Sequence, residues 1–507
     1  MGDTVHNLLL GFAVSLAPVN LLYCFLGVLL GTVVGVLPGL GSAATIALLL
    51  PITYYMPATS AIIMLAGIWY GSMYGGSTTS ILLRVPGEAA SVMTCLDGFA
   101  MARQGRAGAA LGISAFGSFI AGTVGVVGLM FLAPPLAELA LAFGPPEYFA
   151  LAALGLTLVS YLASRSVPKA LAMAVVGLLL GTVGLDPVRS MARFTFGSLT
   201  LQGGIELVPM VMGLFGLAEV FRMLERGVEV EEVARAPQGL RSLLPTRQDW
   251  RESWGAIGRG TVIGFLVGIL PGAGATIASF VAYALEKRRA KHPERFGAGA
   301  IEGVAAPEAA NNSATAGGFI PLLTLGIPSN VVMALMLGAF LLHGVTPGPT
   351  LLSQKPEMFW GVVTSMYVGN VMLLILNLPL IGLFTRITRV PWAILGPIIV
   401  LVCLVGAYGV NNNPIDILVM VVFGVVGWAM MKFGYDPAPL VLAFVLGPMI
   451  ETSLRQSLVL SHGSFLVFFT RPIAGGLLGA ALLMVVSRLL ANIRRLPLRA
   501  AVVASRQ

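Results

Sequence analysis

Apolar runs separated by short polar or charged loops repeat along this chain from end to end. Runs at about 58–76, 108–132, 146–163, 168–185 and 206–223 are followed by others at about 300–317, 359–384, 391–410, 415–432, 437–452 and 465–488. Most are long enough for an α-helix to cross a hydrocarbon core of about 30 Å, which takes ~20 residues. Two further apolar segments, Gly31–Gly41 and Gly264–Gly274, are interrupted by Leu-Pro-Gly. The pattern predicts an all-α polytopic integral membrane protein with about 11–12 spanning helices.

Composition excludes the alternatives. At 57% hydrophobic and 10% charged over 507 residues, the chain has far less than the roughly 25% charge of a soluble domain. Cys24, Cys95 and Cys403 lie far apart in apolar stretches, and His6, His292, His343 and His462 show no ligand spacing. No metal site and no cofactor are therefore expected. The net charge of +8 resides in short loops between apolar runs, which reads as membrane topology and not as nucleic-acid binding. The opening MGDTVHNLLLGF lacks the basic region of a cleavable signal.

Charge position sets an expected topology. No Lys or Arg precedes Arg84, whereas basic clusters recur at Arg84–Arg106, Arg165/Lys169, Arg222–Arg259, Lys287–Arg295, Arg386/Arg389, Lys432 and beyond Arg488. Placing them inside puts the N-terminus outside and the C-terminus in the cytoplasm. Arg189 and Arg193 then fall outside, against the rule. The expected divisions are a first transmembrane repeat at 1–224, a charged cytoplasmic linker at 225–254, a second repeat at 255–490 and a basic cytoplasmic tail at 491–507.

The repeats come from a self-match. GTVVGVLPGLG (Gly31–Gly41) recurs as GFLVGILPGAG (Gly264–Gly274), identical at seven of eleven positions. A weaker match pairs GGSTTSILLRVPGEA (Gly75–Ala89) with GGFIPLLTLGIPSNV (Gly317–Val331), setting Pro86 against Pro328. Two ordered matches imply an internal duplication. The odd number of crossings between the copies, and basic flanks on the second alone, imply inverted topology. Gly255–Leu285 spans 31 residues with LPGAG near its centre, so each arm reaches only about 22 Å. A re-entrant or broken hairpin fits that length, the other reading being one long Pro-kinked helix.

Irregular backbone at membrane depth persists where it lines a polar cavity or is buried in protein. Pro38, Gly39, Gly41, Pro271, Gly272 and Gly274 therefore mark candidate binding turns, with hydroxyls from Ser42, Thr45 and Thr276 close behind. A helix starting there offers free N–H groups to a carboxylate, and carbonyls freed at the break suit Na⁺. Glycines serving only close helix packing are the alternative. IEGVAAPEAANNSATAGG (Ile301–Gly318) aligns with TSAIIMLAGIWYGSMYGG (Thr59–Gly76) and carries Glu302, Glu308, Asn311 and Asn312. A spanning helix with these residues must face a cavity, because a charge at the bilayer centre costs about 2.5–3.5 kcal/mol; hydropathy alone reads the segment as a loop. Ser77, Thr78, Thr79 and Ser80 offer hydroxyls at the matching place in the first copy. For Glu88 and Asp97, an ion pair, Arg84 with Glu88 for instance, competes with ligand contact.

Together, LPGLG, YGGSTTSILLRVPGEAASVMTCLDGFAMARQG, LPGAGATIAS, GVAAPEAANNSATAGG and FIPLLTLGIPSNVV resemble the large membrane subunit of tripartite tricarboxylate transporters, over about residues 5–490. The resemblance implies a bacterial inner-membrane permease working with a small four-helix membrane subunit and a periplasmic substrate-binding protein, with a homodimer also open to it. It implies import of citrate or other organic carboxylates driven by a Na⁺ or H⁺ gradient, without ATP. It places the family's breaks on Pro38, Gly39, Gly41, Pro271, Gly272, Gly274, Pro86 and Pro328, and its polar helix on Pro307, Glu308, Asn311 and Asn312. Arg84 stands where the family pattern has Asn, and Ser329 where it has Gly, which favours a carboxylate other than citrate. A passive channel for organic anions, and an intramembrane hydrolase using Ser77 with His343, are the competing function classes.

Overall fold

The computed structural model describes residues 2–37, 41–162, 166–186, 189–226, 239–272, 274–387 and 392–487. Among them the regular structure is helical, apart from a two-residue antiparallel pairing of Gly184–Leu185 with Ala192–Arg193. Packing divides the chain into two compact units. One holds Met1–Leu141 and Glu206–Phe433; the other holds Ala142–Ile205 and Gly434–Gln507.

The first unit opens with α1 (Gly2–Ser15), α2 (Pro18–Val36), α3 (Gly41–Thr53), α4 (Ala58–Leu83), α5 (Val92–Arg103) and α6 (Ala107–Ala140). The chain then enters the second unit through α7 (Pro145–Leu162), α8 (Val167–Leu180) and the single turn α9 (Leu199–Gln202). It returns with α10 (Leu207–Val211) and α11 (Ala218–Arg226), joined by a wide turn at Met212–Leu217. Next come α12 (Arg247–Ile269), α13 (Gly274–Arg289), α14 (Glu302–Leu325), α15 (Val331–Leu342), α16 (Leu351–Gln354), α17 (Pro356–Ile387), α18 (Trp392–Asn411) and α19 (Pro414–Lys432). The second unit closes with α20 (Ala438–Leu460), α21 (Val467–Thr470) and α22 (Pro472–Ser487).

Among the described residues, six helical stretches are long and apolar enough to cross a bilayer: Pro18–Val36, Ala107–Ala140, Leu207–Glu225, Pro356–Ile381, Pro414–Lys432 and Ala438–Leu460. The long helices α4 and α14 are not among them, and their burial says why. Every residue from Ser60 to Leu83 and from Gly303 to Thr324 is buried. A helix sheathed by other helices is free to carry Gly, Ser, Thr, Asn and Glu, which lipid forbids. The Glu308 segment is accordingly a helix and not a loop. The run expected to end near 76 continues to Leu83, so Ser77–Ser80 lie inside α4 and not at a break. At 168–185 the helix stops at Leu180, and 465–488 divides into α21 and α22.

The hairpin reading of the second LPG segment holds. α12 is capped by Thr246, which bonds reciprocally with Asp249, and α13 starts at Gly274, φ +59°. Arg259 on α12 and Glu286 on α13 form a two-point ion pair at 2.6 and 2.7 Å. One continuous helix separates those residues by about 40 Å, so the arms return to the same end.

Each repeat is sewn by a glycine seam. A Cβ on Gly27, Gly31 or Gly35 of α2 comes within 2.2–2.3 Å of the carbonyls of Met64, Ile68 and Ser72 on α4. At the aligned positions, Gly260, Gly264 and Gly268 of α12 meet Ala306, Ala310 and Ala314 on α14 at 2.1–2.4 Å. Both backbones are in contact, as small residues every fourth position permit.

Both long helices end on a left-handed residue followed by X-Pro: Arg84 (φ 56°, ψ 18°) before Val85-Pro86, and Gly326 (φ 70°, ψ 20°) before Ile327-Pro328. Glycine takes this conformation freely, whereas an arginine pays about 1 kcal/mol. Arg84→Gly is therefore expected to raise the thermal stability of the detergent-purified protein by about that amount; an unchanged or lowered midpoint contradicts the strain at this cap.

In the second unit α20 packs on α7 and α8, with Gly177 against the Leu440 carbonyl. Arg193 pairs with Asp186 and Glu451, which also bind Arg455.

Candidate functional site

The predicted residues fall at two kinds of place in the first unit. Pro38 and Gly39 lie outside the described residues. At the first tip, Gly41 (φ +62°) opens α3 and the Ser42 N–H donates to Glu88 Oε1 at 2.5 Å. The chain thus supplies its own carboxylate to the helix N-terminus that the sequence marks as an anion site. Glu88 also exchanges capping bonds with Ser91. Thr45 turns its hydroxyl back to the Gly41 carbonyl at 2.9 Å. Arg84 is exposed and pairs with no described carboxylate, so the expected Arg84–Glu88 ion pair is absent.

The second tip is closed differently. The position matching Glu88 is Asn330, whose Oδ1 accepts the Met333 N–H at 3.0 Å and caps α15. Gly272 (φ +83°), after Pro271, donates its N–H to the Ser329 carbonyl at 2.6 Å, joining the LPG turn to the break after α14. The Ser329 hydroxyl donates to the Gly318 carbonyl at 3.1 Å beside buried Pro328. The Thr276 carbonyl accepts from the Ser279 hydroxyl, and Thr276 itself is half-buried. Matched positions thus carry a carboxylate at one tip and a neutral amide at the other.

The polar centre lies between the repeats. Glu308, on α14 and fully buried, accepts from Ser77 Oγ of α4 at 2.5 Å, from Thr94 Oγ1 of α5, and from Ser114 Oγ of α6 at 3.2 Å. Among the described residues no Lys, Arg or His forms an ion pair with it. One turn on, Asn312 Nδ2 donates to Ser118 Oγ at 2.7 Å and to Asn311 Oδ1 at 2.5 Å. Asn311 Nδ2 and Ser313 Oγ are buried with no partner among the described residues. Thr79 bonds the Gly76 carbonyl, whereas Thr78 lines a cavity. Ser77 donates to Glu308 and Met73, and His343 Nε2 has no partner, so nothing couples them as nucleophile and base.

Six further residues were not singled out from the sequence: Tyr74, Thr94, Ser114, Ser118, Asn370 and Asn377. Asn370 accepts from Tyr74 at 2.8 Å and donates to Thr123 at 2.9 Å. Asn370 and Asn377 were findable, being amides two turns apart on one face of a spanning helix. Asp97, left open as an ion pair, is instead a latch. It accepts from Tyr283 and from the backbone N–H groups of Gly297, Gly299 and Ala300 at 2.8–2.9 Å, fixing the approach to α14.

Residues 21–442 match the family described as "Tripartite tricarboxylate transporter TctA family". The chain is 51% identical over 498 residues to an "Uncharacterized 52.8 kDa protein in TAR-I ttuC' 3'region" of Agrobacterium vitis, covering 97% of this chain and 98% of that one. It is also 51% identical over 231 residues to an "Uncharacterized protein in TAR-II ttuC' 3'region" of the same organism, covering 46% of this chain and 96% of that one. No solved structure matches.

Proposed function

Because the chain belongs to the tripartite tricarboxylate transporter TctA family, we propose that this multi-pass membrane protein is the permease of a binding-protein-dependent secondary transporter importing organic di- or tricarboxylates. In this reading a small membrane subunit and a periplasmic binding protein complete the system, in a bacterial inner membrane with the C-terminus cytoplasmic. The driving force is a Na⁺ or H⁺ gradient.

The observation that carries the coupling is Glu308. An uncompensated carboxylate in the core of an apolar bundle is expensive and marks an ion or proton path. Hydroxyls from three helices, α4, α5 and α6, converge on it, so its charge state reports to both repeats. The carboxylate cargo fits the second tip, where Gly274 at the start of α13 lies beside the neutral Asn330. A passive channel has no use for a cation-free carboxylate walled in by its neighbours.

Proteoliposomes holding the permease and its small subunit, supplied with the binding protein and radiolabelled citrate or shorter dicarboxylates, test this. Accumulation above the equilibrium level, requiring both the binding protein and an imposed ion gradient, is expected. Uptake indifferent to both sinks the reading, and downhill-only flux favours the channel.

A further inference from the structure

A small cavity of about 10 Å³, room for one water-sized occupant, lies between α4, α6 and α17, lined by Tyr74, Ser77, Thr78, Ser114, Asn377 and Ile381 among others. Two of its wall hydroxyls, Ser77 and Ser114, are the ones that donate to Glu308 Oε2 on their other side. Across the cavity stands Asn377, 4% exposed. Its Nδ2 donates to the Leu373 carbonyl at 3.0 Å. A carbonyl only accepts, so that bond fixes the amide with Oδ1 turned away from it, and Oδ1 has no partner among the described residues. Among the described residues no Lys, Arg or His lines the space.

An orphaned buried acceptor is costly, roughly 1–3 kcal/mol, unless something donates to it or binds it. Here the acceptor belongs to a residue lining the same cavity as the two hydroxyls that donate to Glu308. Hydroxyl and amide oxygens set among the aliphatic side chains of Leu111, Ala115 and Ile381, with one carboxylate behind them, suit a small hard cation better than an anion. Hydroxyls serve both states: they donate to Glu308 in its present arrangement, and on rotation they present lone pairs to an arriving cation.

We propose that this cavity is the cation vestibule of Glu308. A monovalent cation, Na⁺ or a hydrated proton, enters onto Asn377 Oδ1 and passes between Ser77 and Ser114 to the carboxylate. Asn377 is then a positioning and selectivity residue for the coupling ion, and carboxylate cargo never enters this space. The inference rests on the ion-coupled reading above.

Its test is the concentration dependence of the driving cation in the reconstituted system, with Na⁺ varied at clamped pH in one arm and pH varied at fixed Na⁺ in the other. Asn377→Leu is expected to raise the half-saturating cation concentration about tenfold in one arm only, the arm that identifies the ion. Asn377→Asp, which adds charge at the same place, is expected to lower it. A misfolded variant loses maximal rate without shifting half-saturation in opposite directions. If Asn377→Leu fails to insert, the direction of the Asn377→Asp shift decides alone. Equal half-saturation in wild type and both variants overturns the vestibule. Wild-type uptake that ignores both cations overturns the coupling reading itself.

Discussion

Glu308→Gln is expected to lower gradient-driven net uptake of carboxylate by a factor of about 100 or more, equivalent to ~2.7 kcal/mol of lost coupling. The substitution keeps shape and most hydrogen bonds, because a Gln Oε1 still accepts from Ser77, Thr94 or Ser114. What it removes is the ability to gain and lose charge. Exchange of labelled for unlabelled substrate at equal ion concentrations discriminates the ions. A permanently neutral side chain mimics a protonated acid, so a proton-coupled carrier retains exchange. A Na⁺-coupled carrier loses a ligand charge and with it both activities. Net uptake at the wild-type rate removes Glu308 from the mechanism.

The second large effect is mechanical and separates two identical substitutions on one helix. Gly264→Ala on α12 places a methyl 2.1 Å from the Ala310 carbonyl oxygen and 2.7 Å from its Cα, which no rotamer change relieves. The helices must part, at about 1–3 kcal/mol, and the polar residues that α14 carries shift with them. Gly258→Ala, two turns earlier, meets nothing within 4 Å and gains up to about 1 kcal/mol in helix propensity. Thermal unfolding in detergent is expected to move down for Gly264→Ala and level or up for Gly258→Ala. Similar midpoints for the two discount the seam as a source of rigidity.

Much of this architecture was legible in the chain. The LPG duplication located both tips, and the length of each arm argued for a hairpin that the Arg259–Glu286 pair then closes. Glu308 was legible because a carboxylate amid apolar residues needs a reason. Of its partners Ser77 was legible, whereas Thr94 and Ser114 were not. A single Thr94, Ser114 or Ser118 within an apolar helix is ordinary, since such a hydroxyl bonds its own backbone as readily as a distant group. Only the folding of α5 and α6 against α14 distinguishes them. Hydropathy misjudged α4 and α14 for a related reason, because it assumes a lipid surround where the surround is protein. The role of Glu88 lay further from reach, since its acceptor oxygen meets a backbone N–H across 46 residues of chain.

That contact gives the duplicated halves unequal electrostatics. Glu88 and Asn330 occupy equivalent places in two copies of one design, yet one sets a carboxyl group against a helix end and the other a neutral amide. Turning the molecule over in the membrane does not restore the same field. The two tips therefore meet whatever approaches them on different terms, one already furnished with a carboxyl group and the other with an amide that carries no charge.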